Sequence, residues 1–196
     1  VRSPLARLVA WSQAAFFGFL LACLAVRPGY LIRRDEGGIS NYGIHPTTGV
    51  LYSLPFGCSG ALLLAAARVA PTSTTVARRF RALLAVLGVL LLAVLGSTYA
   101  YKHGTGLHGV HVGAATLTTV VEAGAAVWLA LGVLGDAPAR LALGAQLAGV
   151  VLALCTVLGA IDVLFAAQLL SSAGFAILLV RAAATVARAA GSEPTG

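Results

Sequence analysis

Apolar residues run along the chain in six stretches, 8–26, 47–69, 82–101, 110–134, 141–158 and 164–181. Each is long enough to cross the roughly 30 Å hydrocarbon core of a bilayer, which takes about 20 helical residues. None alternates polar and apolar positions as a transmembrane barrel strand does. Lipid offers no water to free backbone groups, so runs of this kind predict helices. Between them stand Pro28-Gly29, Pro71, His103-Gly104 with Gly106, and Gly135 with Pro138, residues that end helices and open turns. The fifth and sixth runs are parted only by a tight hairpin around Asp162. The reading is an all-α, polytopic membrane protein with one six-helix domain over 1–188 and a small, polar, disordered tail over 189–196.

Composition carries the class further. Of 196 residues 59% are hydrophobic and 10% charged, against about 25% charged in a soluble domain. The mean hydropathy is +0.95. That excludes an ordinary soluble enzyme, a disordered chain and a disulfide-rich secreted module. Cys23, Cys58 and Cys155 stand isolated in apolar runs and read as small hydrophobes. The lone lysine, the single asparagine and the wealth of Ala, Gly, Val, Leu and Arg fit a GC-rich bacterial genome. Val1 in a chain without methionine fits a GTG start read as valine.

The net charge of +7 would suggest nucleic acid in a soluble protein. Here it reports orientation, and no nucleic-acid partner is expected. With the N-terminus inside, Arg2, Arg7, Arg68, Arg78, Arg79, Arg81, Arg140, Arg181 and Arg188 are cytoplasmic, against Arg27, Arg33, Arg34 and Lys102 outside. The positive-inside bias therefore sets both termini in the cytoplasm of a bacterial plasma membrane. Arg2 and Arg7 before the first apolar run also resemble a signal peptide, and Leu20-Leu21-Ala22-Cys23 has the shape of a lipoprotein cleavage box. Five further spans follow, so the first is expected to stay uncleaved.

Polar chemistry gathers in three places. The outer loop Arg27 to Pro46 is long for a compact bundle and contains Arg33, Arg34, Asp35, Glu36, Ser40, Asn41 and His45. Loops of this length are usually functional, and its arginines suit lipid phosphates; a solvated connector is the plainer alternative. Second, His108 and His111 begin the fourth helix three residues apart and share a face. At 100° per residue that face continues through Thr118 to Glu122. Because polar groups facing lipid are costly, the stripe should point into the bundle. Third, Glu122 lies near the bilayer midplane with no cation at its depth. A neutral, hydrogen-bonded carboxyl is expected there, with Ser59, Ser171 or Ser172 as partners. A proton relay or a ligand between the helices is the functional alternative.

His45, His108 and His111 could hold a metal, with Asp35, Glu36 or Asp162 completing the set. Zinc needs three or four such groups around one point, and two histidines on one turn supply half. No metal or other cofactor is favoured; zinc is the alternative. A haem fits less well, because the histidines lie at one rim. His45, His108 and the loop around Ser40 are expected to converge on a shallow outer pocket, roofed by 33–43 and within reach of Asp162. Gly109 with Gly113 would permit close helix contact.

The run Ile39-Ser40-Asn41-Tyr42-Gly43, followed by Pro46 and a span, resembles the first outer loop of the DUF998 membrane family and of the Frag1/DRAM/Sfk1 group. There an Ile-Ser-x-x-Gly element precedes the second helix. Gly106-Leu107-His108-Gly109 is similar in kind to a family feature. The resemblance covers Arg27 to Leu64, and Asn41 departs from the acid usual after the serine in the Frag1 group. It implies a six-helix protein whose bacterial members have no assigned reaction and whose eukaryotic relatives are linked to lipid organisation. Ceramidase-like hydrolases share the Ser, Asp and His types found at Ser40, Asp35, His45, His108 and His111, but the HxxxH pair and a seventh helix are missing. The cytochrome b561 group places haem histidines at both membrane faces, unlike this chain.

Together these features point to a non-enzymatic integral membrane protein that binds membrane lipid, or another membrane protein, through Arg33, Arg34, Asp35, Ser40, Asn41, His45, His108, His111, Glu122 and Asp162. The alternative is a metal-dependent hydrolase working at the outer headgroup level.

Overall fold

The computed structural model describes residues 3–28, 38–102 and 108–191, with the side chains of 99–102 and 108 left aside. Its elements are α1 (Pro4–Val26), the short turn α2 (Asn41–Ile44), α3 (Gly49–Val69), α4 (Thr75–Lys102), α5 (His108–Val127, continued by a π-helical stretch Trp128–Leu134), α6 (Ala137–Val157) and α7 (Leu164–Gly191). Among the described residues there is no strand. Six helices are long and apolar enough to cross a membrane: Pro4–Val26, Gly49–Val69, Thr75–Thr98, Gly109–Leu134, Ala137–Val157 and Leu164–Gly191.

Local chemistry sets the helix ends. Ser3 accepts a hydrogen bond from the Ala6 amide at 3.2 Å, with Pro4 in the first turn, and Thr74 accepts from Ala77 at 3.1 Å. Both satisfy amides that a helix start leaves bare. Gly135, at φ 72°, closes the π-helical stretch in the left-handed region where a side chain would be strained. Asp136 then caps α6 through Ala139 at 2.9 Å and takes the Arg181 guanidinium of α7 at 3.0 Å. Those bonds, Arg181 first, hold the Asp136 carboxyl below its ordinary value of 3.8. Its stabilisation is therefore complete above that value and fades as the pH falls through the lowered one.

Four boundaries differ from the sequence reading by more than two residues: α1 starts at Pro4 and α6 at Ala137, four residues before the apolar runs at 8 and 141, and two shifts are larger. The third span begins at Thr75, because Arg78, Arg79 and Arg81 are exposed on helical turns beyond the apolar run. The last helix runs to Gly191, past the expected start of a disordered tail at 189, since Ala-rich turns sustain a helix without an apolar run. Residues 192–196 lie outside the described residues.

The helices form a ring in the order α1, α3, α4, α5, α6, α7 and back to α1. Packing is tightest between α6 and α7 and between α1 and α3, and thin where α5 meets α6 and α7. The α1 face is the row Leu5, Val9, Ser12, Phe16, Leu20, Cys23, all buried at three- and four-residue spacing. Glycines allow the closest crossings: a Cβ on Gly149 would stand 2.6 Å from the Ala167 carbonyl, and one on Gly174 would stand 2.6 Å from that of Ala142. Gly109 and Gly113, by contrast, are exposed, with open space around them.

The outer surface of the ring is apolar. Leu141 is 76% exposed, Val157 74% and Val50 71%, while Ser12, Ser59, Thr98, His111 and Gln146 are buried. Water would penalise such a surface; lipid would not. The chain is therefore a multi-pass membrane helical bundle.

Candidate functional site

The end of the ring formed by the 38–48 segment is closed by a plug, where the sequence suggested a roof. Ile39, Tyr42 and Gly43 are buried in it. The Ile39 amide donates to Oε1 of Gln168 on α7 at 2.7 Å. Tyr42 sets its ring edge-on to Phe165 at 5.7 Å and donates its hydroxyl to the Arg27 carbonyl at 3.2 Å. Thr48 Oγ1 donates to the Tyr42 carbonyl at 2.7 Å. A Cβ on Gly43 would meet Thr98 at 2.6 Å and the Tyr52 ring at 2.7 Å, so the turn fits only with glycine there.

Beneath the plug lies a cavity of about 140 Å³. Its apolar lining includes Phe16, Phe56, Leu87, Val94 and Phe175; its polar lining is Gln13, Ser40, Ser59, Thr118, Thr119, Glu122, Gln168, Ser171 and Ser172. No cation lines it. Thr118 and Thr119 donate to the Ala114 and Ala115 carbonyls of their own helix at 2.8 and 3.1 Å. Ser59 is paired with Ser12 at 2.8 Å. Glu122 is half-buried, and among the described residues no hydrogen bond to its carboxyl is formed. Ser59, Ser171 and Ser172, the partners expected from sequence, share its cavity without bonding it.

Between plug and ring, His111 stands between two serines. Its Nε2 lies 3.0 Å from Ser40 Oγ and its Nδ1 3.2 Å from Ser97 Oγ. Ser97 donates to the carbonyls of Ala93 at 2.8 Å and Val94 at 3.1 Å, so its oxygen is left to accept from Nδ1–H. In that arrangement Nε2 turns a lone pair towards the Ser40 hydroxyl.

The stripe His111, Thr118 and Glu122 thus faces inward, as its helical spacing predicts. The expected outer convergence joined His45, His108 and the loop around Ser40, and the His108 side chain lies outside the described residues. Ser40 meets His111 instead, while His45 takes the Arg27 guanidinium on its Nδ1 at 2.7 Å. Asn41 opens α2 and is half-buried, away from the cavity lining. Asp162 is exposed on the α6–α7 hairpin, in a separate surface depression with Thr156 and Ile161. Arg33, Arg34, Asp35 and Glu36 lie outside the described residues, and so does the side chain of His108. Among the described residues no three His, Cys, Asp or Glu side chains gather as a metal site.

Sequence reasoning passed over Gln13, Gln168, Ser97 and Gln146. Three are glutamines inside apolar runs, a signal as strong as that of Glu122. Gln146 is fully buried on α6, with neither amide atom hydrogen-bonded among the described residues. Comparison with protein-family models, with curated proteins and with solved structures gives no match for the chain.

Proposed function

We propose that this membrane protein binds membrane lipid, or a comparable amphipathic molecule, in the cavity enclosed by its helices. The supporting observation is the mixed lining: phenylalanines and leucines beside a carboxyl and two carboxamides, with no cation among the described residues. Apolar pockets with a few convergent polar groups are the usual form of a small-ligand site. About 140 Å³ admits a polar group and a few methylenes, so the remainder of a chain would lie in the thin seam between α5 and α6. The resemblance to the DUF998 family agrees with a lipid-related role.

The protein should retain lipid through detergent exchange. Mass spectrometry of the purified protein is expected to find about one amphipathic molecule per chain, reduced several-fold when Phe56→Trp fills the cavity. Loss-free binding in that variant would remove the cavity from the account. Near-stoichiometric zinc, lost on replacing His108 and His111 with alanine, would favour the metal-dependent hydrolase.

The proposed setting is a bacterial plasma membrane with both termini cytoplasmic, supported by the arginine distribution. Exposed Thr47 and Ser73 lie on opposite sides in that topology. A side chain at Gly38 would run into Gln168, so Thr47→Cys is the outer probe. An impermeant maleimide added from outside should modify Thr47→Cys and spare Ser73→Cys. The reverse pattern would invert the topology.

A further inference from the structure

We infer that Ser40 is a nucleophile, activated by His111, that accepts an acyl group from an ester lodged in the cavity. This rests on the ligand-binding reading above and gives it a substrate class: acyl esters of amphipathic alcohols.

The geometry comes first. Ser40 Oγ lies 3.0 Å from His111 Nε2, within the reach a general base needs. The bond runs from a plug residue to α5, across 71 positions of sequence. The other ring nitrogen is engaged by Ser97, whose own proton goes to Ala93 and Val94. Ser97 thus occupies the place that a carboxylate takes in the familiar hydrolase triads: it orients the imidazole and fixes its tautomer. Being neutral, it stabilises an imidazolium less than a carboxylate does, so a slow turnover is expected.

The second observation is the amide of Gln168. Its Oε1 is held by the Ile39 amide at 2.7 Å, which leaves the Nε2 hydrogens as donors. Gln168 and Ser40 line the same cavity. A carboxamide donor lining the same cavity as the nucleophile is of the type that serves a developing oxyanion. The apolar lining, with Phe16 and Phe56, excludes water from the acyl chain.

The reaction balances within the residues named and one water. Ser40 Oγ attacks the ester carbonyl carbon while its proton passes to His111 Nε2. The tetrahedral oxyanion, held by Gln168, collapses and breaks the bond to the alcohol oxygen, which takes the proton back from Nε2. The product alcohol leaves and Ser40 carries the acyl group as an ester. Water then attacks that ester, gives its proton to Nε2, and releases the fatty acid as Ser40 recovers the proton. No metal, oxidant or reductant enters.

The test uses full-length protein in phosphatidylcholine nanodiscs with two probes. A long-chain alkyl fluorophosphonate reports a nucleophilic serine, and a diazirine-bearing alkyl ether reports occupancy of the cavity without chemistry. Peptide mapping should place the phosphonate on Ser40. Labelling should fall roughly 100-fold or more in His111→Gln, while the ether still crosslinks cavity peptides. Ser97→Ala, a positioning change, should slow labelling and displace its pH profile; it also serves if His111→Gln does not fold. Ether crosslinking without phosphonate on Ser40, or labelling that His111→Gln and Ser97→Ala leave unchanged, overturns the nucleophile and spares the binding reading. Absence of both signals overturns both.

Discussion

Replacing Gly174 with valine should leave little folded protein. A Cβ at that position stands 2.6 Å from the Ala142 carbonyl oxygen and 2.6 Å from the Gln146 amide nitrogen, both backbone atoms of α6. Helix backbones cannot yield as a side-chain end can, so α6 and α7 must separate. Overpacking a core costs about 1–3 kcal/mol where side chains absorb it, and more is expected here. In lipid, close packing is itself what holds helices together, and the pair lost is the tightest in the ring. Gly144→Val is the control, because a Cβ there meets open space. Thermal unfolding followed by size-exclusion should show Gly144→Val close to wild type and Gly174→Val largely aggregated. Equal stability of the two would mean that α6 and α7 do not cross at these glycines.

Glu122→Lys should be nearly as damaging, and Glu122→Gln nearly silent for stability. An ionised residue at the centre of a spanning helix costs about 2.5–3.5 kcal/mol on insertion scales, and among the described residues the cavity around position 122 holds no other acid to receive an ammonium. Glutamine keeps the size and hydrogen-bonding capacity of the carboxyl without adding charge. The same unfolding measurement should place Glu122→Gln within about 1 kcal/mol of wild type, with Glu122→Lys poorly recovered. If glutamine unfolds the protein as lysine does, the carboxyl is needed as an anion and the neutral-carboxyl expectation fails.

The spans were legible because bilayer thickness writes itself into the length of apolar runs. The α4 start was hidden by Arg78, Arg79 and Arg81, which a hydropathy reading assigns to a loop although a helix carries them into the interface. The inward stripe of α5 was legible from spacing alone, since Thr118 and Glu122 repeat with the helical period. Ile39 and Tyr42 gave a signal that a solvated loop does not explain: large apolar residues that end up buried in the plug. The Ser40–His111 contact was beyond reach, because nothing local to either residue encodes where a turn inserts into a ring of helices. Residue types alone could not show that Arg27 would engage His45, or that Ser40 and Ser97 would engage His111.

If the cavity binds a lipid as proposed, the thin seam beside α5 sets the units in which its occupancy is counted. A cavity that exchanges its guest sideways is in equilibrium with the hydrocarbon phase, so the variable that fills it is the mole fraction of the guest among lipids. Dissolved concentration then matters only through partitioning. Enriching one lipid species in the bilayer would then fill such a site without any aqueous messenger. On the proposed ligand-binding reading, a protein built this way would respond to bilayer composition.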